Sequence, residues 1–436
     1  MSRIAIIGAG VSGLTTAWLL ARAGHEVQVL EAAGHAGGHT CTVPVDLPDG
    51  RWEVDTGFIV LNDRNYPAFT ALLAELGVPV QPSDMSFAVS GRGGRFEYAS
   101  TSLAGVLATP ANLVRPAFWR MLLDVRRFQR EALELLESDS DESLGAYLER
   151  NRYSRWFIDR LLVPQAAAVW SADPGQMWSF PARFLVRFFD NHGMLSLRDR
   201  PRWYTVVGGS HRYVEQLLAF LPGRVRLDTP VESVRRFDGH VEVTPRGGAP
   251  ETYDEVVIAA HSDQALRMLV DPTPQERAIL GAIPYEANEA VLHTDRSLLP
   301  RRRRAWASWV YHLLDENEPR PSKSTVSYHM NRLQSLAAQR ELIVTLNRTE
   351  AIAPHEILAV KQWAHPVFTP GGMDAQQRHH EISGVNRTHY AGAYWRWGFH
   401  EDGVWSGVRA ARALGAIAPW DEDRQGDETP APAVAA

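Results

Sequence analysis

The chain has 436 residues, 22% charged and 45% hydrophobic, with a formal net charge of −6. That length and apolar content, with 14 Trp, suffice for two or three soluble domains and exclude disorder over most of the chain, and the lack of a basic excess speaks against nucleic-acid binding. Only Lys323 and Lys361 among the 45 basic residues are lysines, and Cys41 is the single cysteine, which excludes an internal disulfide, a CxxC pair and a cysteine-built metal site.

Residues 3–7 read as a short apolar strand, 8–13 as a glycine turn, 14–23 as a helix broken by Gly24, and 26–30 as a second strand. This is a βαβ opening of dinucleotide-binding size, and its glycines argue against a cleaved signal peptide. Residues 67–200 read as mostly helical, including the arginine-rich stretch 116–137 and a helix pair over 143–162. Strand character returns at 204–207. The runs 225–227, 231–237, 240–244 and 255–259 then follow at the spacing of a small sheet. A mixed segment covers 272–372. The last organised part is a strand at 389–393, an aromatic turn, and a helix over 404–414. The acidic, Pro- and Ala-rich end after Trp420 reads as disordered.

The order predicts an α/β protein of two interleaved domains. A Rossmann-type domain takes 1–64, 203–271 and 385–419, a mixed sheet-and-helix substrate domain takes 65–202 and 272–384, and 420–436 forms a tail.

Gly8, Gly10 and Gly13 form a G-x-G-x-x-G with Val11 and Ser12 opening the helix. Gly8 permits the tight turn, Gly10 lets backbone approach a pyrophosphate, and Gly13 lets helix and strand pack closely. The helix then offers free N–H groups and its positive end to phosphate. Glu31 ends the second strand, where a carboxylate accepts both hydroxyls of an adenosine ribose and repels a 2′-phosphate. The alternative, a purely structural glycine turn, lacks a reason for the acid.

Ala32, Gly37, Gly38, His39 and Thr40 follow, then Val54, Asp55, Thr56 and Gly57. This arrangement resembles the flavin-containing amine oxidase and phytoene desaturase superfamily, with its acid, GGR-type loop and D-x-G turn. The resemblance implies non-covalent FAD, with His39 standing where the superfamily usually has Arg and Ala32 where Arg often follows the acid. The turn at Gly208 and Gly209, and the strand at Val231 whose backbone meets adenine, look like further parts of that pattern. The block 390–407 resembles the segment that closes over the flavin, with Gly392, then Ala393 where Glu is usual, and Asp402, Gly403 and Val404. In that reading the amides of Gly403 and Val404 stabilise charge on the reduced ring, and Asp402 or Glu401 holds a ribityl hydroxyl.

The combination of 170–174 (WSADP), His192-Gly193, 201–203 (PRW), 328–334 (YHMNRLQ), His365-Pro366 and 398–403 (GFHEDG) covers nearly the whole chain. It looks like a branch of FAD-binding proteins that accompany cyclopropane-fatty-acyl-phospholipid synthases. That resemblance implies an unsaturated or modified lipid acyl chain as substrate, oxidised by hydride transfer to flavin N5, and a synthase of that kind as partner. An amine or small-molecule oxidase, and a non-catalytic flavin-bearing accessory protein, are the alternatives.

Tyr394, Trp395, Trp397 and Phe399 are expected either to wall the substrate cavity or simply to pack. His400 is the first candidate for a catalytic base, ahead of His365 and His329, with a capping role as its alternative. His35 and His39 lie in a glycine loop without a third ligand, so no metal site is expected. Arg115, Arg120, Arg126, Arg127 and Arg130 beside Phe118, Trp119, Met121 and Leu122, and Arg301–Arg304 before Trp306 and Trp309, fit either a lipid-facing surface or a solvated face. The expected setting is cytoplasmic, with peripheral contact at the inner membrane face under the first of these.

Overall fold

Arg3–Ile7, Glu26–Leu30 and Glu255–Ile258 are short runs whose side chains are buried on both faces, as strands of a covered parallel sheet must be. In the computed structural model, which describes residues 1–137, 142–170, 173–196, 198, 200–314 and 323–424, they form the middle of a five-stranded parallel sheet. Its strand order is Val225–Arg226, Glu26–Leu30, Arg3–Ile7, Glu255–Ile258, Thr388–Tyr390. Three distant stretches of chain therefore meet in one sheet. The helix Val11–Arg22 crosses its face and packs against the long C-terminal helix His400–Ala413.

Beside it stands a seven-stranded mixed sheet in the order Ile357–Pro366, Tyr285–His293, Ile343–Leu346, Val326–His329, Trp309–Leu313, Phe87–Gly91, Phe96–Ala99. The helices Pro116–Glu131, Leu144–Arg150, Val163–Trp170 and Ala182–Asn191 gather around a large apolar core that shares residues with this sheet. A π-helical turn, Ile158–Leu162, leads into Val163–Trp170.

The architecture is α/β with both helices and sheets, and several local expectations change. The stretch 67–200 is not mostly helical at its start, because Val80–Pro82, Phe87–Gly91 and Phe96–Ala99 are strands. The four strands expected as one small sheet divide. Val231–Arg236, Val241–Pro245 and Glu251–Tyr253 form a three-stranded antiparallel sheet, while Val225–Arg226 and Glu255–Ile258 join the parallel one. The C-terminal helix begins at His400, one turn before the expected Val404. Residues Pro419–Arg424 form a 3-10 turn, and the rest of the expected disordered tail lies outside the described residues, as do Ser171 and Ala172. No described helix is long and apolar enough to cross a membrane.

Candidate active site

Gly8 sits at φ +106°, and a Cβ there would lie 2.6 Å from the carbonyl oxygen of Ala259. A Cβ on Gly13 would lie 2.0 Å from the Gly8 oxygen, so both positions need glycine for the strand, turn and helix to close on one another. Gly10 differs: a Cβ there meets no protein atom within 4 Å, because the position faces a cavity. The Gly37 amide donates to the Ala9 carbonyl at 2.8 Å, and Gly38 lies against Gly10. The two glycine loops thus make one backbone cradle, and Gly13 supports it from outside the lining.

Glu31 faces the same cavity. Its Oε2 accepts from the Ala9 amide at 2.7 Å and its Oε1 from the Ala33 amide at 2.9 Å. A carboxylate has about four acceptor positions, so capacity remains for two ribose hydroxyls. Ala32 and Val231 line the same end, with Glu232, Arg246 and Arg267 nearby in the lining.

The cavity has a volume of about 1200 Å³ and runs without interruption from Gly10 and Glu31 to an aromatic arm. That exceeds the roughly 300–1,000 Å³ of sites for single drug-sized ligands. Thr56 and Gly57 form part of its wall, with the Trp363 indole donating to the Thr56 carbonyl at 3.1 Å. Asp55 does not reach the lining. It is fully buried and accepts from the Ser210 amide and hydroxyl and from Thr42 and Gln334, which latches the D-x-G turn to the glycine turn at Gly208 and Gly209. Burial, only partly offset by these bonds, pushes its carboxyl up to about 6.

In the C-terminal block, Gly392 and His400 line the cavity, whereas Asp402, Gly403 and Val404 do not. Asp402 Oδ2 accepts from the Phe399 amide at 2.9 Å, and Glu401 accepts from the Ala68 and Phe69 amides at 3.1 and 2.9 Å. Both carboxylates therefore cap helix starts and lie outside the cavity lining, away from the expected ribityl role. Burial raises them, to about 6 for Asp402 and about 7 for Glu401. The Gly403 amide is also committed, to the Phe399 carbonyl at 3.1 Å. Because the helix starts earlier, its unpaired amides belong to the turn at His400 and Glu401 instead of Gly403 and Val404. Gly403 serves the crossing of two helices, since a Cβ there would lie 2.5 Å from Val11 Cγ1.

His400 is wedged into the wall. Its Nε2 bonds Thr40 Oγ1 at 2.8 Å and Tyr213 Oη at 3.1 Å, and its ring stacks on Phe58 at 3.7 Å. Burial lowers it to about 3, so it is neutral and spent on packing, which does not suit a base working near neutral pH. His329 is also removed from the role, since its Nε2 bonds Glu341 at 2.7 Å and it lies outside the lining.

Of the four expected aromatic residues, Tyr394, Trp397 and Phe399 line the cavity. Trp395 does not: it packs edge-on against His379 in the core. The aromatic arm is completed by Trp170, Phe188 and Phe368, with ring centroids 4.7 Å apart for Trp170 and Phe188 and 5.5 Å for Phe188 and Phe399. Phe188 and Phe368 escape a motif search because they come from separate elements. The spacing of Phe184 and Phe188 on one helix face was the available signal.

The charged lining residues are unevenly placed. Glu31, Glu232, Arg246 and Arg267 belong to the nucleotide end, and among the described residues the aromatic arm carries no carboxylate and one charged side chain, the exposed Arg200. No group of three or more described His, Cys, Asp or Glu residues could hold a metal ion.

The Arg301–Arg304 run is partly consumed internally. The amides of Arg301 and Arg302, with the Arg302 guanidinium, bond the buried Glu97 carboxylate, and the Trp306 indole donates to the Pro300 carbonyl. The other basic stretch is different. Leu103, Leu113, Val114, Trp119 and Leu123 are exposed by 75, 49, 83, 44 and 66%, and Arg120, Arg126 and Arg130 are exposed beside them.

A protein of Mycobacterium tuberculosis named as a flavin-containing monoamine oxidase, AofH, is 27% identical over 289 residues, 63% of this chain and 60% of its own length. An L-amino-acid oxidase of Bothrops pauloensis is 23% identical over 67% of this chain and 59% of its own. The chain thus spans about three-fifths of the length of these curated relatives. Among solved structures, putrescine oxidase bound to putrescine superposes with a TM-score of 0.66 at 16% identity, covering 95% of this chain and 98% of that one. A CLA-producing fatty acid isomerase from P. acnes gives 0.65 at 17%, covering 94% and 98%. At such identities these likenesses show the fold. The family model described as flavin containing amine oxidoreductase matches residues 11–415. With that match over nearly all of its length, the chain belongs to the flavin-containing amine oxidoreductase family, whose cofactor is FAD.

Proposed function

We propose that the protein is an FAD-dependent oxidoreductase that oxidises an apolar, unsaturated or modified acyl chain of a lipid. The observation that carries this reading is the aromatic arm itself. Trp170, Phe188, Phe368, Trp397 and Phe399 offer broad apolar surface, and no described carboxylate stands there to hold a substrate ammonium. Arg200, exposed where the lining meets solvent, suits an anionic headgroup.

FAD, when bound, supplies the two-electron acceptor for a hydride. The chain's residues hold it and shape the space around it. Gly10, Gly37 and Gly38 present backbone to its phosphates, Glu31 takes the ribose hydroxyls, and Val231 meets the adenine. The amides at His400 and Glu401 set a positive helix end toward the flavin side. The aromatic arm excludes water and aligns the chain, while buried His400 keeps the Thr40–Tyr213 corner rigid.

The exposed apolar residues between Leu103 and Leu123 support contact with a lipid surface. Ser100, exposed and part of the cavity lining, lies just before that segment, so an acyl chain has a short path inward. Exposed Arg126 and Arg130 follow Trp119 and Leu123 on one helix face and complement anionic headgroups. Flotation with vesicles tests this. Binding to anionic vesicles is expected, with loss in the Val114→Asp/Leu123→Asp double variant; equal binding by that variant contradicts it.

Anaerobic mixing of the FAD-loaded protein with candidate substrates tests the main reading. Bleaching of the flavin by unsaturated or methyl-branched phospholipid, and not by putrescine or amino acids, is expected. Bleaching by amines alone would place it with the amine oxidases. Retained binding to a cyclopropane-fatty-acyl-phospholipid synthase, with no bleaching by any compound, would make it that enzyme's accessory protein.

A further inference from the structure

A hydrogen-bonded chain in the cavity wall fixes the proton of one imidazole. The strands Tyr285–His293 and Ile357–Pro366 pair antiparallel, with Asn288 opposite Trp363 and one diagonal step from His365. Asn347 Oδ1 accepts from the backbone amide of Glu289 at 3.0 Å, and that amide can only donate. Asn347 Nδ2 is therefore the donor to Asn288 Oδ1 at 2.7 Å and to the Ser324 carbonyl at 3.1 Å. Asn288 must then turn its Nδ2 toward His365 Nδ1, 3.2 Å away, so that nitrogen accepts. A neutral His365 consequently carries its proton on Nε2. Burial keeps it neutral, lowering it to about 4 with help from His261.

His39 has the opposite polarity. Its ring lies 4.9 Å from Trp363 and 5.4 Å from His365, and it hydrogen-bonds the Ala364 backbone. Its Nε2 is buried with no hydrogen-bond partner. Both rings line the cavity between the glycine cradle and the aromatic arm. An unpaired buried acceptor is costly unless a ligand satisfies it, so the pocket is built for a group that donates a hydrogen bond to one ring and accepts one from the other.

We propose that His365 and His39 are a neutral donor–acceptor pair for the bound flavin, with His365 Nε2–H giving a hydrogen bond to an acceptor on its polar edge and His39 Nε2 receiving one from a donor of the cofactor. Asn288 and Asn347 are positioning residues that set the His365 tautomer. The loop that in the superfamily usually carries a GGR arginine thus presents an uncharged imidazole here, and the flavin is tuned by dipoles at this point. The other titratable groups around the pair are His400, which acts on His39, His261, stacked 4.4 Å from Tyr285, Glu286 opposite His365 in register, and Asp263 and Arg267 on the helix Ser262–Met268 behind His261.

The proposal rests on FAD binding and not on the lipid substrate, so its test uses neither lipid nor amine. The midpoint potential of bound FAD is measured by dye equilibration between about pH 5 and 8, the range in which an ordinary imidazole titrates. The wild type should show no imidazole inflection. Asn288→Asp cannot donate to Nδ1 and instead accepts from it, which reverses the tautomer, stabilises the imidazolium and brings an inflection into this range. The double variant Asn288→Asp/His365→Gln should lose that inflection. An inflection that survives His365→Gln, or an FAD-loaded Asn288→Asp without one, overturns the proposal. If Asn288→Asp fails to retain FAD, His365→Phe and His365→Gln decide by the same titration. The Phe variant, lacking a donor, should have a lower potential than the wild type and the Gln variant one near it; a Phe variant at the wild-type potential overturns the proposal.

Discussion

At Glu31 two backbone amides fix the carboxylate in the rotamer that faces the cavity, so the side chain is aimed before any ligand arrives. Glu31→Ala should weaken FAD retention at least about 10-fold, since each charged hydrogen bond to a ribose hydroxyl contributes about 1.5–3 kcal/mol. Flavin released by acid from purified variant checks this, and unchanged content would contradict the ribose role. His400 illustrates how a residue type misleads when its surroundings are unseen. In the sequence it is a histidine next to acids in an aromatic block; in the structure it is a neutral ring held by Thr40, Tyr213 and Phe58. His400→Ala should cost roughly 2–4 kcal/mol of stability through a cavity and an orphaned hydroxyl, lowering Tm. A variant with wild-type Tm and abolished turnover would restore the catalytic assignment.

The C-terminal helix carries the same lesson at the level of an element. Glycine at 403 reads as a turn because it interrupts helical periodicity, yet its missing side chain lets helix His400–Ala413 lie on helix Val11–Arg22. Gly407 repeats the device one turn later, where a Cβ would lie 2.6 Å from the Ser12 oxygen. Gly403→Val should destabilise by about 1–3 kcal/mol through overpacking, read as a fall in denaturation midpoint, and an unchanged midpoint would show that the helices have room to part. The first βαβ unit was legible because its glycines, apolar runs and acid sit within thirty residues and interact locally. Of the aromatic arm only Trp397 and Phe399 were legible, as one block, because Trp170, Phe188 and Phe368 join them only through tertiary packing. Strands at 80–99 were hidden for a related reason: Val80–Pro82 pairs with Trp203–Val206, and Phe87–Gly91 with Trp309–Leu313, so their partners lie far along the chain.

Over the whole molecule, burial outweighs pairing in setting the charge of the buried histidines. His192, His293, His365, His379 and His389 are lowered to about 4 and His312 and His400 to about 3, with desolvation the first cause in each. Unfolding lets these imidazoles take protons near their ordinary 6.5, so the unfolded chain binds more protons and stability falls as pH drops from about 7 to 5. Asp55, Asp402 and Glu401, raised to about 6, 6 and 7, oppose this, because the fold keeps protons that the unfolded chain releases. His39, His261 and His329 are also lowered and Glu255 and Glu286 also raised, so the imidazoles still outnumber the carboxyls and Tm should fall between pH 7 and 5; a Tm that rises over that interval would contradict the assignment of these rings as neutral. The same burial gives the cavity its character: one continuous space with a polar end at Glu31 and an aromatic arm that carries no carboxylate among the described residues. The most direct test of that division is a single anaerobic turnover with a defined unsaturated or methyl-branched phospholipid, its acyl chains analysed by mass spectrometry as the flavin is reduced. Loss of two hydrogens from the chain for each flavin bleached is expected. An intact chain, with bleaching obtained from an amine that leaves as its imine or carbonyl product, would contradict it.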